Sequence, residues 1–396
     1  MPSGSEFVAL TAQCSLKHLE ELYLYDIEND ELYELSLEAY QFLLRTCQGE
    51  NPSLREEDKE FIQFCLDEHL IRYSSTPQRR KVSLHPSPVP SLRYLELQIT
   101  DRCNLRCHHC YIGDGLSQDL SVKKIEKVLE DFEEMQGLRL LLSGGEPLLH
   151  PNFWEINERL RDYAVRSVLL SNGILITREV ARRLRVHEVQ ISLDGMKEGH
   201  ESIRGKETFR KTLAAIDHLQ EAHIRVSVAT MIHGKNLKEF DQLKDLLESK
   251  TIQEWNVDVP CVEGRLRENS DLWVEPSVAG PFLNYGFGGG LHSSGTEGTC
   301  GIHLCAVLPN ENVCKCGLFS REPVGLIEEG LRTCWERIPR GQTKDLTCAC
   351  PDVSICKGGC RYRARAYGGV NTPDPFQCAA RGFLKGGEED EHQEGR

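Results

Sequence analysis

Cys103, Cys107 and Cys110 stand at the spacing C-x3-C-x2-C within Cys103-Asn104-Leu105-Arg106-Cys107-His108-His109-Cys110. Ionised thiolates are soft donors, and three on one loop suit an iron–sulfur cluster. The odd number is informative. Three protein ligands on a four-iron cluster leave one iron for a small molecule, whereas a structural zinc site closes with four ligands. On spacing alone, a zinc site completed by His108 or His109 stays open. A second constellation, Gly144-Gly145-Glu146-Pro147, ends the short apolar run that begins at Arg139. Its glycines let backbone approach a ligand closely, and Glu146 can accept hydrogen bonds from an ammonium group.

These groups need a frame. The alternating run Leu92-Arg93-Tyr94-Leu95-Glu96-Leu97-Gln98-Ile99 reads as a strand that delivers the cysteine loop at its C-terminal end. Strand-like runs recur at 138–142, 166–171, 187–193, 223–231 and 252–259, with helix-like stretches near 121–136, 152–163, 177–185, 206–222 and 236–249. Six such βα repeats over residues 91–260 predict an α/β fold, a parallel sheet curled into a partial (β/α)6 TIM-like barrel. Functional groups in such barrels gather at the C-terminal strand ends. There lie Gly144 to Pro147, Ser171-Asn172-Gly173 after the third strand, Ser192 and Asp194 at the end of the fourth, and Arg204 in the loop beyond. Asn172 and Asp194 also suit turns that tolerate left-handed backbone.

Together the three-cysteine loop and the downstream Gly-Gly-Glu-Pro resemble the radical S-adenosylmethionine (SAM) superfamily, over roughly Ser91 to Pro260. The resemblance implies that Cys103, Cys107 and Cys110 hold a [4Fe-4S] cluster whose free iron chelates the methionyl end of SAM. Reduction then yields a 5′-deoxyadenosyl radical that takes hydrogen from a substrate. Gly144, Gly145, Glu146 and Pro147, with Asn172, Ser192, Asp194 and Arg204, are the expected SAM contacts, and Tyr111 is expected to border the adenine. His109 is expected to pack over the cluster.

Seventeen cysteines, an odd number, and no visible secretory signal argue for metal ligation over disulfides. Eleven lie after residue 260. Residues 261–299, with Gly286-Phe287-Gly288-Gly289-Gly290 and Ser293-Ser294-Gly295, read as a flexible bridge. Then come Cys300-x4-Cys305-x10-Cys316, around a hairpin at 307–313, a helical connector near 326–338, and Cys348-x-Cys350-x5-Cys356-x3-Cys360 with Cys378. This block, 300–380, resembles the SPASM extension of radical SAM enzymes that act on peptides. That resemblance implies two auxiliary [4Fe-4S] clusters, one on Cys300, Cys305, Cys316 and Cys360, the other on Cys348, Cys350, Cys356 and Cys378. The chain departs from the pattern twice. Cys348-x-Cys350 replaces C-x2-C, and Glu311 stands where a glycine is expected. Cys314 is a surplus thiol that could substitute at the first cluster, and two zinc sites are the competing reading of the block.

Residues 1–75 read as a separate unit: a hairpin around Glu28-Asn29-Asp30, a helix capped by Ser36, and a second helix over 56–70. The pattern resembles the winged-helix domain that binds leader peptides in enzymes modifying ribosomally made peptides; an unrelated structural cap is the alternative. A leader would most simply add as a strand to an open sheet edge. Residues 76–90 are proline-rich and basic, an expected extended linker. The acidic tail, 381–396, reads as disordered.

Net charge of −14 argues against a general nucleic-acid binder. No apolar run reaches the roughly 20 residues a membrane span needs, so a cytoplasmic location is expected. The expected activity is that of a peptide maturase forming an intramolecular cross-link such as a cysteine thioether, with a leader-bearing precursor peptide and a flavodoxin- or ferredoxin-type reductant as partners. Formylglycine formation in sulfatases, tetrapyrrole modification, and a non-catalytic cluster-bearing scaffold are the competing functions.

Overall fold

The computed structural model describes residues 7–50, 59–83, 85–290, 292 and 298–384. At the N-terminus, β1 (Phe7–Leu10) is followed by an antiparallel meander of β2 (Cys14–His18), β3 (Leu22–Asp26) and β4 (Glu31–Glu34). Helices α1 (Leu37–Cys47) and α2 (Lys59–Asp67) follow, and β5 (Ile71–Ser74) returns to pair with β1. The hairpin turn is built by Asp26, whose Oδ1 accepts from the Glu28 and Asn29 N–H groups at 3.0 and 3.2 Å. Ser36 caps α1, accepting from the Ala39 N–H at 3.2 Å. Cys14, Cys47 and Cys65 are buried in this unit's own apolar core. Strands β1, β2 and β5 add to what the sequence pattern showed.

The barrel strands are β6 (Tyr94–Thr100), β7 (Arg139–Gly144), β8 (Arg166–Ser171), β9 (Glu188–Ser192), β10 (Arg225–Met231) and β11 (Glu254–Asp258), all parallel and adjacent in chain order. Helices α3 (Val122–Glu134), α4 (Phe153–Arg159), α5 (Arg178–Arg183), α6 (Lys197–Arg204), α7 (Thr208–Glu221) and α8 (Phe240–Ser249) connect them. Leu95, Leu97 and Ile99 of β6 share one core with Val128, Leu129 and Phe132 of α3. The fold is the partial barrel that the strand–helix alternation predicts. Helix α6 went unread in the sequence, and Arg204 is its last residue rather than part of a loop.

The sheet does not stop at β6. Strand β12 (Leu304–Val307) adds beside it in parallel, and β13 (Asn312–Cys314) and β14 (Gly325–Leu326) continue antiparallel, giving nine strands. The expected 307–313 hairpin is thus part of the barrel sheet. Glu311 turns it with φ of 72°, the left-handed conformation that glycine would adopt freely, and its carboxylate pairs with Lys124. Short helices α9 (Pro276–Ala279), α10 (Leu331–Arg337), α11 (Val353–Cys356), α12 (Arg361–Tyr367) and α13 (Pro375–Ala380) complete the chain.

Two expectations of looseness are corrected. The described residues of the 76–90 segment are tied down: Arg80 donates to the Thr11 carbonyl at 2.6 Å, and Gln136 donates to the Ser83 and His85 carbonyls at 3.2 and 2.9 Å. In the bridge, Phe287 exchanges two backbone hydrogen bonds with Trp255 at 2.8 and 3.1 Å, so Gly286 to Gly289 pack on β11, and the Gly290 carbonyl accepts from Arg139 at 2.9 Å. Ser293 to Gly295, residues 56–58 of the second helical stretch and the tail from residue 385 lie outside the described residues.

The N-terminal unit docks on the end of the barrel opposite the cysteine loop. Buried Lys17 donates to the Gly137 and Ala164 carbonyls at 2.8 and 2.7 Å, just before β7 and β8 begin. Arg166, at the start of β8, donates to the Ile27 and Glu28 carbonyls at 2.7 and 2.6 Å and pairs with buried Glu188 at 2.8 Å. A seven-residue strand separates this end from the cysteine loop by about 20 Å. Replacing Arg166 leaves Glu188 without its buried partner, so Arg166→Met is expected to cost about 3 kcal/mol. Denaturant unfolding measures this, and a loss below about 1 kcal/mol would contradict the docking role.

Candidate active site

Backbone contact builds the site before any side chain does. The Gly145 and Glu146 N–H groups donate to the Thr100 and Arg102 carbonyls at 2.9 and 2.8 Å, clamping the glycine loop to the residues that lead into Cys103. A Cβ on Gly144, whose φ is 152°, would fall 2.3 Å from the Thr100 carbonyl oxygen, and one on Gly145 would fall 2.4 Å from that of Arg102. The glycines are therefore required by the neighbouring loop itself, apart from any ligand.

Glu146 is fully buried, and its oxygens are already engaged. They accept from Ser171 Oγ at 3.0 and 3.1 Å and from the Asn172 and Leu148 N–H groups at 3.0 and 3.4 Å. The expected acceptance from a SAM ammonium does not fit this side chain; it ties the loop after β7 to the loop after β8. Pro147 starts the short turn Pro147–Leu149 that the carboxylate caps. Asn172 Nδ2 then donates to Asn104 Oδ1 at 2.8 Å, reaching the cysteine loop, while its Oδ1 accepts from the Ile174 N–H at 3.0 Å.

Asp194 and Arg204 form a buried ion pair. Burial works to raise the Asp194 carboxyl, but Arg204, His109, His200 and the Met231 N–H hold it well below the usual carboxylate range. Arg204 Nη1 also lies 3.9 Å from Cys107 Sγ, so its guanidinium bridges a fixed carboxylate and one of the three loop thiols. Half-buried Ser192 makes no side-chain hydrogen bond among the described residues and stands available to a ligand. Asp194 is structural in this arrangement, and Arg204 is committed on one side.

Cys107 is buried, Cys110 half-buried and Cys103 exposed. Although Cys103 is exposed as a residue, partial desolvation of its sulfur raises the thiol, against the Leu105 N–H, and Glu146, Cys107 and Cys110 add to the rise. Thiols gathered in this way must lose protons to bind iron. His109 Nδ1 is buried with no partner among those residues, and burial drives the imidazole down to about 3, so it stays neutral. Three convergent thiols, a guanidinium beside one of them and an orphaned imidazole nitrogen fit a cluster with its SAM. Among the described residues no group of three His, Cys, Asp or Glu side chains converges to hold a single metal ion. Arg265, which the sequence pattern did not single out, locks the loop: its N–H donates to the Cys110 carbonyl and its Nε to that of Cys107, each at 3.0 Å.

The Tyr111 hydroxyl enters the inner face of β6, accepting from Gln98 Nε2 at 3.0 Å and donating to Glu96 Oε1 at 3.4 Å. Glu96 Oε2 accepts from the Gly317 N–H at 3.2 Å, so Tyr111 and Glu96 connect the cysteine loop to the segment holding Cys316. Beyond it the C-terminal thiols form groups. Burial pushes the Cys378 thiol up to about 11, and the Cys348, Cys350 and Cys356 thiols beside it add to that. Cys300 Sγ accepts from the Arg361 N–H at 3.3 Å, next to Cys360. Asp374 organises both groups: it accepts from the Cys360 N–H at 2.9 Å and from Arg363 at 2.9 and 3.0 Å, and it caps the helix carrying Cys378. Cys305 stands apart, buried in β12, and Cys314 packs with Ala306 and Leu308.

Burial raises the Glu146 carboxyl to about 7, against the pull of the Asn172 N–H, the Ser171 hydroxyl, the Leu148 N–H and Arg204. Below the unfolded value of 4.5 the group is neutral in both states. As pH rises toward 7 the unfolded chain releases its proton first, so folding loses stability across that window, on the order of 3 kcal/mol. Glu146→Gln should flatten this decline in denaturation series at stepped pH. A decline identical to wild type would contradict the burial assigned to the carboxyl.

Residues 97–247 match the family model described as the radical SAM superfamily. Fe-coproporphyrin III synthase of Methanosarcina barkeri is 32% identical over 39% of this chain and 40% of its own length. Mycofactocin maturase MftC of Mycobacterium tuberculosis is 33% identical over 38% of this chain and 41% of its own. The chain thus spans about two fifths of the length of these curated relatives. Among solved structures, SuiB of Streptococcus suis bound to precursor peptide SuiA superposes with a TM-score of 0.64 over 93% of this chain and 99% of that one; at 13% identity this is a likeness of fold. The cysteine loop, the glycine loop and Arg204 all fall within the matched span, and the chain carries a radical SAM domain, a domain type that uses SAM and a four-iron cluster.

Proposed function

We propose that this protein is a radical SAM maturase of a ribosomally made precursor peptide, with two auxiliary four-iron clusters in a SPASM-type C-terminal region. The reading is carried by one arrangement: the clamped cysteine and glycine loops share a barrel mouth with the thiol-rich region, while an open-edged sheet is anchored to the same barrel. When bound, the reduced cluster supplies hydrogen-abstracting power through SAM. Cys103, Cys107 and Cys110 hold it, Arg204 sets the field beside Cys107, and Ser192 with the glycine-loop backbone receives SAM. A cavity of about 160 Å³ lined by Tyr111, Glu263, Phe319, Arg321, Tyr362 and Arg365 lies between the cysteine loop and the C-terminal region, a natural seat for the reacting residue. A flavodoxin- or ferredoxin-type protein would supply electrons in a cytoplasmic setting. Among the described residues no helix is long and apolar enough to cross a membrane.

Peptide is favoured over tetrapyrrole, the other class that the relatives' names raise, by β4. Among the described residues this strand is an unpaired edge of its sheet, and it is only partly buried. The Leu35 N–H bonds inward to the Leu22 carbonyl at 2.8 Å, so by strand alternation the Glu34 N–H points outward. A leader would add there as a further strand. Glu34 is exposed, so Glu34→Pro removes the outward donor and spares the fold. We expect roughly tenfold weaker binding of the precursor peptide by titration, with SAM cleavage retained. Unchanged affinity would overturn the edge-strand role. Cys107→Ala should abolish 5′-deoxyadenosine formation; survival of that activity would overturn the cluster assignment.

A further inference from the structure

Resting on the auxiliary-cluster reading above, the geometry points to Cys261, rather than Cys305, as the fourth thiolate of the cluster held by Cys300, Cys316 and Cys360. The strand register excludes Cys305. Cys305 aligns with Leu95 of β6 and Ala306 with Glu96, and aligned residues of parallel neighbours share a face. Cys305 therefore faces the helix layer, where it is 0% exposed and joins Leu95, Val307, Leu331, Cys334 and Trp335 in the main apolar core. The opposite face carries Glu96, Ala306 and Cys314, and the Gly317 N–H meets Glu96 there, which puts Cys316 on the side that Cys305 turns away from.

Cys261 approaches that side from the loop after β11, a loop fastened to α12 at both ends. Arg363 pairs with Asp258, and Tyr362 Oη donates to Glu263 Oε1 at 2.5 Å. Helix α12 begins directly after Cys360, and the Arg361 N–H at its start donates to Cys300 Sγ at 3.3 Å. Half-buried Cys261 thus sits between the ion pair and the hydrogen bond that hold its loop to the helix bearing Cys360. Cys261 lines one cavity together with Tyr362 and Arg363 of α12, the two residues that fasten its loop. With Cys261 in place the cluster has a full set of protein thiolates and no iron open to a substrate thiolate.

The test is iron content and the electron paramagnetic resonance spectrum of the dithionite-reduced, anaerobically reconstituted full chain, for wild type, Cys261→Ala and Cys305→Ala, with circular dichroism confirming each fold. Support is a Cys261→Ala protein that loses about four of about twelve irons, or keeps them with an altered auxiliary signal, while Cys305→Ala matches wild type. The proposal is overturned if Cys305→Ala, correctly folded, shows the change, or if neither variant differs from a wild type with about twelve irons. A wild type that takes up only about four irons refutes the auxiliary-cluster reading itself, a separate outcome.

Discussion

Everything at the mouth of this barrel depends on one close backbone approach, that of Gly144 and Gly145 to the carbonyls of Thr100 and Arg102. A side chain at either glycine would meet a carbonyl oxygen well inside van der Waals contact, so the loop leading to Cys103 and the loop after β7 register only if both residues lack a Cβ. Glu146 extends the clamp to Ser171 and Asn172, and Asn172 closes the circuit on Asn104 inside the cysteine loop. The cysteine loop is thereby held from two sides without any of its cysteines being used. Preorganisation of this kind lets a cluster bind thiols that are already placed.

Electrostatics around the thiols follows from burial. The Asp194–Arg204 pair is enclosed, so it is little screened, and its positive end lies against Cys107. A fixed cation beside a cluster thiolate favours the ionised thiol and the more reduced cluster, as hydrogen bonds and charge near the sulfurs do generally. Tyr111 and Glu96 carry the same region through the barrel interior to Gly317, so the cysteine loop and the C-terminal thiols share one hydrogen-bonded wall.

Much of this was legible in the sequence because it is local. Strand and helix periods fixed six parallel strands, and short-range spacing marked the cysteine and glycine loops. What escaped was set by contacts between distant segments. Glu146 looked like a ligand group because its consumption by Ser171 and Asn172, on the next strand, leaves no trace in local pattern. The hydrogen bonds of Tyr111 escaped because Gln98 and Glu96 lie on the preceding strand's inner face. Cys305 has a ligand's spacing, but a strand register decides which face it takes, and register depends on pairing with β6 some two hundred residues earlier. The proline-rich segment and the glycine bridge read as loose by composition, yet each finds backbone partners on the unit it crosses.

The central claim is that one chain combines a SAM-cleaving cluster with two auxiliary ones. Its most direct measurement pairs iron and sulfide analysis with mass spectrometry of SAM products on anaerobically reconstituted protein given dithionite. The account predicts about twelve irons per chain and formation of 5′-deoxyadenosine. Zinc in place of iron, or iron without 5′-deoxyadenosine, would contradict it and favour a cluster-free or non-catalytic scaffold.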